Sequence, residues 1–572
     1  MTSLCPQLPY KPDEPEHARL TNLAGSAVLN RHRPALAAAT ALYLMAAIGF
    51  ASGCSSLHSP TVNVRYYLSP AGNDSAAGTS PATAWRTLAR ASRAVLRPGD
   101  RLLLQGGAHF TGELKLDSAD GGDARDPVQV GSYGRGHATI VAHRESGIVI
   151  YNTAGIRING LAVTGSDSLN SSYCGIILFS NLAGQRRLDG VTINSVNVGG
   201  FGIGIAIGAD RAAGFEHVGV THSSLHDNLD AGFETYGPTG SPGSPIVYAQ
   251  ADITISHVIA FNNLGDPADT IKNSGSGIIL GSVKDATVTS SVAYGNGGKG
   301  GARRQGPEGI WAYDSTGITM DHDVAYGNKS ASKEDGGGFG FDIGTSDSVM
   351  QYDVAYGNHG PGFLLYGRQP TAQSDNVVRF DISSDDAWTR GSAGGIQVGG
   401  QYQAAVYQNT VVVGAPSRLR HSALWLGRQL HSVTVRNNIF VANKEDSIVL
   451  SIHSISKSHV LLQGNDYFAP ASAFPFIWGK TSYDSFDAWQ SATGQEHARR
   501  RRSGFAVNPG LVGPVLGLDL KAAATAAGFA LRPGSRMLGA GLPLSRLFDI
   551  KPGSTDFSGK PVSPLTPNVG AQ

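Results

Sequence analysis

One pentapeptide recurs three times, as Val292-Ala293-Tyr294-Gly295-Asn296, Val324 to Asn328 and Val354 to Asn358, each closing a segment of about thirty residues. A repeat this short cannot bury a core by itself, so it must stack on its neighbours. With two short strands per repeat, the period is that of a solenoid coil. Weaker copies extend both ways: Gly175, Gly202, Gly232, Gly277, Gly309, Gly338, Gly362 and Gly395 each open a strand, and Asn228, Asn263, Asn296, Asn328, Asn358 and Asn443 fall in one turn column, with Asp386 standing in the same column. Asparagine tolerates the left-handed backbone of a tight corner, and stacked asparagines can bond to one another, so this column is read as structural. The coils are expected to span residues 141–468. The 75 glycines follow no Gly-X-Y period and only 16% of residues are charged, which excludes a collagen-like or a disordered chain. A net charge of +1 gives no reason to expect nucleic acid as a partner.

The N-terminal segment reads as an address. Arg31, His32 and Arg33 precede an apolar run from Ala35 to Phe50, which is short for a membrane span and is followed by Ala51-Ser52-Gly53-Cys54. This resembles the lipobox of bacterial lipoproteins, which implies lipid attachment at Cys54, residues 1–54 as signal segment and 55–61 as tether, with the mature protein anchored to the cell envelope, at the outer membrane. A plain signal peptide or an inner-membrane anchor are the alternatives. Cleavage before Cys54 would remove Cys5 and leave Cys174 as a lone thiol, hence no intrachain disulfide and a monomer stabilised by packing alone.

Residues 62–140 are expected to form an N-terminal cap and first coil. Ser80-Pro81 is a helix start, Trp85, Leu88, Ser92, Val95 and Leu96 fall near one helical face, and Pro98-Gly99-Asp100 ends it before a strand over 101–105. The stretches SPAGNDSAAGTSPATAWRTL, PGDRLLLQGGAHFTG and DPVQVGSYG closely resemble the opening of bacterial proteins of the pectate-lyase-like superfamily. That resemblance implies an all-β fold: a right-handed parallel β-helix with an N-terminal capping helix, and a C-terminal cap over residues 469–572 that covers the open edge.

Aligning strands on their opening glycines puts Phe233, Ile278, Ile310, Phe339 and Phe363 in one inward column, and Thr235, Leu280, Ala312, Phe341 and Leu365 in a second. The alternating positions then face out. One outward column reads Glu234, Ile279, Trp311, Gly340, Leu364, Gln397, Trp425; the other reads Tyr236, Gly281, Tyr313, Asp342, Tyr366, Gly399, Gly427. Aromatic side chains beside a gap and a carboxylate suit sugar rings, so Trp311, Tyr313, Tyr366, Glu234, Tyr236 and Arg303 are read as substrate-binding residues. Loops covering these aromatics are the competing explanation. Long loops beside this face bring Lys299, Arg303, Arg304, Lys333, Glu334 and Asp335, and an insertion over 237–276 brings Asp266, Asp269 and Lys272. Asp335 is expected near Glu308 of the preceding coil.

These residues allow three functions. A polysaccharide lyase would use Lys299, Arg303 or Lys333 as base or clamp, with Glu308, Asp335 and Asp342 as hard oxygen ligands, Asp335 and Asp342 holding Ca²⁺. A glycoside hydrolase would draw its two carboxyl groups from Glu308, Asp335, Asp342 and Glu234. A surface module would bind glycan or pack against the envelope without chemistry. The expectation is an exported carbohydrate-active protein that binds and cleaves an acidic or acetylated polysaccharide, with Glu308, Asp335, Asp342 and Lys299 as catalytic residues.

Overall fold

The computed structural model describes residues 63–165, 172–238, 244–303, 305–332, 334–368, 373–387, 394–414, 421–443, 446–470, 475–513 and 526–572. The leader with Cys5 and Cys54, Arg304 and Lys333 lie outside these residues. The described chain winds as a right-handed parallel β-helix, the hand that parallel crossovers favour. Each coil contributes three strands rather than the two expected, building sheets of 14, 14 and 13 strands. In one coil Ser276–Gly281 lies in sheet 1, Val283–Thr289 in sheet 2 and Val292–Tyr294 in sheet 3. The third strand escapes a repeat count because it is only three residues long and sits inside the recurring pentapeptide, next to its turn.

The inward columns pair as the spacing predicts: Phe233 with Ile278, Ile278 with Ile310, Ile310 with Phe339, and Phe339 with Phe363. All are fully buried, as is the second column with Leu280, Ala312, Phe341 and Leu365. Thr235 joins that column although polar, because its hydroxyl donates to the Gly281 carbonyl at 2.9 Å.

The glycine and asparagine columns are parts of one device. Each asparagine amide donates to the next carboxamide oxygen, from Asn228 to Asn263, Asn296, Asn328 and Asn358, at 2.9 to 3.0 Å. The same nitrogen of Asn263, Asn296, Asn328 and Asn358 reaches a backbone carbonyl of the preceding coil, so these buried amides are satisfied in both directions. A Cβ at Gly277, Gly309 or Gly338 would press on that nitrogen at 3.1, 2.8 and 3.0 Å, which explains why each strand opens on glycine. Asp386 ends the run by accepting from Asn358 at 2.8 Å. Two assignments shift: Gly204, not Gly202, pairs in the glycine column, and Asn443 bonds to Asp446 instead of a stacked asparagine because Gly414 lies beside it without a side chain.

A second ladder, at the corner between sheets 2 and 3, is invisible as a repeat because its residue type changes. Ser291, Asp323, Asp353, Asp381, Asn409 and Asn438 each donate a backbone N–H to the side chain of the next member, ending at Asn465. Asn465 then donates to Glu496 at 2.7 Å.

At the N-terminal end the short helix expected between Ser80 and Pro98 is not continuous. A 3₁₀ turn at Pro81–Thr83 is capped by Ser80, Trp85 instead bridges to Leu68, and only Leu88–Ala91 is α-helical, capped by Thr87. Asp74 holds the break by accepting from the backbone of Arg86 and Thr87. Trp85, Leu88 and Leu96 are buried nonetheless, while Val95 is exposed. At the far end Phe486–Thr493 forms a helix whose buried Trp489 stacks on Phe476 at 4.6 Å between ring centroids. The following chain runs along the outside of sheet 3, where Leu511, Phe529, Met537 and Val569 pack on Tyr356, Ile382, Val412 and Ile439. Cys174 is disulfide-bonded, with its partner outside the described residues. The lone-thiol expectation rested on removal of the leader and does not hold for the full chain.

Candidate functional site

The outer face of sheet 1 keeps the register read from the glycines, with Glu234, Ile279, Trp311, Gly340, Leu364, Gln397 and Trp425 paired in sequence. It is not an open aromatic shelf. Trp311 is 7% and Tyr236 6% exposed, Tyr313 is half-buried, and only Tyr366, at 37%, presents its side chain freely. Trp311 is held by its indole N–H, which donates to the Ser276 hydroxyl at 3.0 Å, and its ring leans on Tyr313 at 5.5 Å. The rings of Tyr236 and Tyr313 fold over Gly208 and Gly281 of the preceding coils, where any side chain would collide with them. Covering therefore accounts for Trp311 and Tyr236 as well as a ligand would.

The carboxyl groups are brought together. Glu308 ends the loop before its strand, and its side chain crosses to the next coil to lie over Gly340, in the space that glycine leaves open. It is 4% exposed and its Oε2 has no donor. Asp335 takes a left-handed backbone, φ 54°, just before the glycine triplet, and its Oδ2 accepts from Gly306 N–H at 2.9 Å. Asp342 follows strand Phe339–Phe341, and its Oδ1 accepts from Ile343 N–H at 2.7 Å. Its own carbonyl and that of Tyr366 both receive the Gln373 amide at 3.0 Å, which ties the two sides of the site together.

Burial dominates the electrostatics and the three acids reinforce it. Glu308 is pushed well above the usual carboxylate range by burial, then by Asp335 and Asp342. Asp335 is raised to about 7 by burial and by Asp342 beside it. Asp342 is raised to about 6 by burial, held down by the Ile343 N–H and the Arg368 guanidinium. Near neutral pH the cluster thus holds a neutral acid, Glu308, beneath two groups that straddle ionisation.

Of the cations expected beside these acids, Lys299 and Arg303 are described, while Arg304 and Lys333 lie outside the described residues. Lys299 and Arg303 are exposed and pair with none of the three carboxyls. Among the described residues no three His, Cys, Asp or Glu side chains are grouped to hold a metal ion. Two residues that the spacing did not single out stand beside the predicted ones: Arg368 near Asp342, and Asp230 near Glu234. Asp230 had a usable signal, since it follows the laddered Asn228 by two positions just as a loop acid precedes the strand at Glu308. A separate shallow groove of about 460 Å³ lies on the outer face of sheet 2, lined by Thr192, His217, Thr254 and Asp285, and shares no residue with this cluster.

No protein-family model matches the chain, and no curated protein sequence does. Among solved structures it is similar to a lacto-N-biosidase from Eubacterium ramulus, at 17% identity and a TM-score of 0.47 over 64% of this chain. The match spans 65% of the length of that enzyme chain. A pectate lyase matches at 16% identity and a TM-score of 0.36, over 89% of this chain and 96% of its own. The A-module of a mannuronan C-5 epimerase from Azotobacter vinelandii matches at 16% identity and a TM-score of 0.39, over 68% and 91%.

Proposed function

We propose that this chain is an exported, carbohydrate-active protein that cleaves a polysaccharide by acid–base hydrolysis on the outer face of sheet 1. The observation that carries the reading is that Asp335 and Asp342 lie close enough to the buried Glu308, and Asp342 to Asp335, to raise their ionisation. Hydrolysis of a glycosidic bond needs one protonated and one ionised carboxyl at the same pH. Asp342, at about 6, supplies the ionised group, and Asp335, at about 7, the protonated one. Burial and these two acids keep Glu308 neutral, so it serves as a positioning residue and leaves the two aspartates as the titrating groups. Tyr366, exposed next to Asp342 in its column, offers the ring on which a sugar face stacks.

The hydrolytic reading is favoured over elimination by the surroundings of the trio, where Arg368 is the cation acting on Asp342 and Lys299 and Arg303 stand apart. A second reading, binding without chemistry, is favoured by the burial of Trp311 and Tyr236. Incubating the purified protein with a panel of bacterial and plant polysaccharides separates them. New reducing ends support hydrolysis, an unsaturated uronate chromophore supports a lyase, and binding without product supports the module. We further propose that export ends in lipid attachment at Cys54, in which case Cys54→Ala releases the protein from membrane fractions.

A further inference from the structure

Three strand spacings from Gly340, about 14 Å along the same outward column, Glu234 occupies the position paired with Ile279. It is fully buried, and neither carboxyl oxygen has a donor. A buried carboxyl without a partner forfeits the hydrogen bonds that water would have supplied, so what it lacks is a group bearing N–H or O–H. Around it stands a half-buried rim: Asp230 and Lys272 act on Glu234, Glu234 acts on Tyr313, and Asp266 and Asp269 act on Asp230. Lys272 makes no ion pair with Glu234 or Asp230 among the described residues, although it is the cation that acts on both. Asp266 and Asp269 each spend one oxygen on their own loop, on Ala268 and on Ile271 and Lys272. Among the described residues acids therefore outnumber the one ammonium around this point.

We propose that Glu234 and Asp230 form a subsite for the primary ammonium group of a deacetylated amino sugar, on the same face of sheet 1 as the cleavage site. The inference takes from the proposed function that the face of sheet 1 holds a glycan. An ammonium brings three donors, enough for the two bare oxygens of Glu234 and one of Asp230. Its charge compensates the one Glu234 acquires on losing its proton, which passes to solvent through the half-exposed rim. Burial and the neighbouring Asp230 hold Glu234 protonated while the subsite is empty, consistent with a group that ionises when a cation arrives. A uronate would instead place a fourth acidic group beside Asp230, Asp266 and Asp269.

Isothermal titration of the full chain at about pH 6, where a primary amine is charged, tests this with three probes: a tetramer of glucosamine, the same tetramer fully N-acetylated, and a tetramer of galacturonate. The expected result is a preference of about 10- to 100-fold for the free-amine tetramer over both others, the worth of one or two charge-assisted hydrogen bonds. Glu234→Gln should reduce that preference to within about threefold, and Asp230→Asn should reduce it in the same direction if Glu234→Gln does not fold. Asp342→Asn should lower cleavage about 10²- to 10⁴-fold and keep the preference, which separates failure of the catalytic reading from failure of this one. Equal binding of the acetylated tetramer, tighter binding of the galacturonate tetramer, or an undiminished preference in Glu234→Gln and Asp230→Asn each overturns the proposal.

Discussion

The carboxyl group of Glu308 occupies the place where the side chain of residue 340 would be, so that Gly340 serves as its seat. Glycine in the middle of a strand weakens it, with no side chain to pack and more backbone entropy to lose. Here the cost is tied to a purpose, because any Cβ in the outward column between Trp311 and Leu364 would evict the acid from beneath Asp335 and Asp342. The three-residue strand Phe339–Phe341 keeps its place in the core through the two phenylalanines on either side of the glycine, both fully buried.

Gly340→Ala should therefore act on both stability and activity. The added methyl falls inside the Glu308 carboxyl, and that buried side chain must swing out of its place, an overpacking cost of about 1 to 3 kcal/mol. The expected outcome in thermal denaturation is a lower melting temperature, with glycan cleavage falling in parallel. A Gly340→Ala protein with wild-type stability and activity would show that the seat has no function.

Asp342→Asn keeps the shape and removes the charge. Cleavage should drop about 10²- to 10⁴-fold, while the melting temperature barely changes. In the wild type, activity requires Asp342 ionised and Asp335 protonated. Rate should rise with pH through about 6 and fall through about 7, a narrow bell whose two limbs belong to the coupled cluster as a whole. A flat profile between pH values well outside that window would remove these two residues from the chemistry.

Much of this was legible before any coordinates. The register of sheet 1, the inward phenylalanines and the convergence of Glu308 with Asp335 follow from a period of about thirty residues and the two-residue alternation of strands. What escaped was set by partners that no spacing reveals. Trp311 and Tyr236 read as open because alternation gives the direction of a side chain and not what lies above it. The helix expected after Ser80 had a proper apolar face, but Asp74, six residues upstream of its cap, captures the backbone of Arg86 and Thr87 and interrupts it. The ladder through Asp323, Asp353 and Asp381 was missed because a column of asparagines is recognisable by composition, whereas serine, aspartate, asparagine and glutamate share only an acceptor oxygen.

The closure of the C-terminal end depends on Trp489. It is fully buried among Phe476, Tyr467, Trp478 and Phe486, and it is the side chain that brings helix Phe486–Thr493 onto the last coil. Trp489→Ala leaves a large cavity and should cost about 3 to 5 kcal/mol. Limited proteolysis should then cut first near the end of the helix, with the central coils still protected; unchanged urea denaturation would show that the helix is not needed to close the solenoid.

The aspartate ladder makes stability depend on pH in a direction opposite to that of salt-bridged carboxylates. Asp323, Asp353 and Asp381 are each fully buried, and one oxygen of Asp353 and one of Asp381 have no donor. Burial raises all three well above the ordinary carboxylate value, and Asp381 and Asp323 on either side raise Asp353 further. A group that is harder to ionise when folded contributes its stability in full below its unfolded value of about 4, and that contribution is lost as pH rises through the folded value. The urea midpoint of the wild type should accordingly fall between mildly acidic and alkaline pH. Asn409, Asn438 and Asn465, lower in the same column, show what replaces the proton: each amide donates to a carbonyl of the preceding coil, Val378, Val406 and Val435, at 2.9 to 3.1 Å. In Asp353→Asn the new amide faces the matching carbonyl of Met320, which pairs with Met350 as Val378 pairs with Val406. That substitution should raise stability by about 1 kcal/mol at neutral pH, by more at alkaline pH, and should flatten the dependence. A wild-type midpoint that does not change with pH, or an Asp353→Asn protein less stable than wild type under alkaline conditions, would mean that the ladder carries its acids ionised and paired in a way this geometry does not allow.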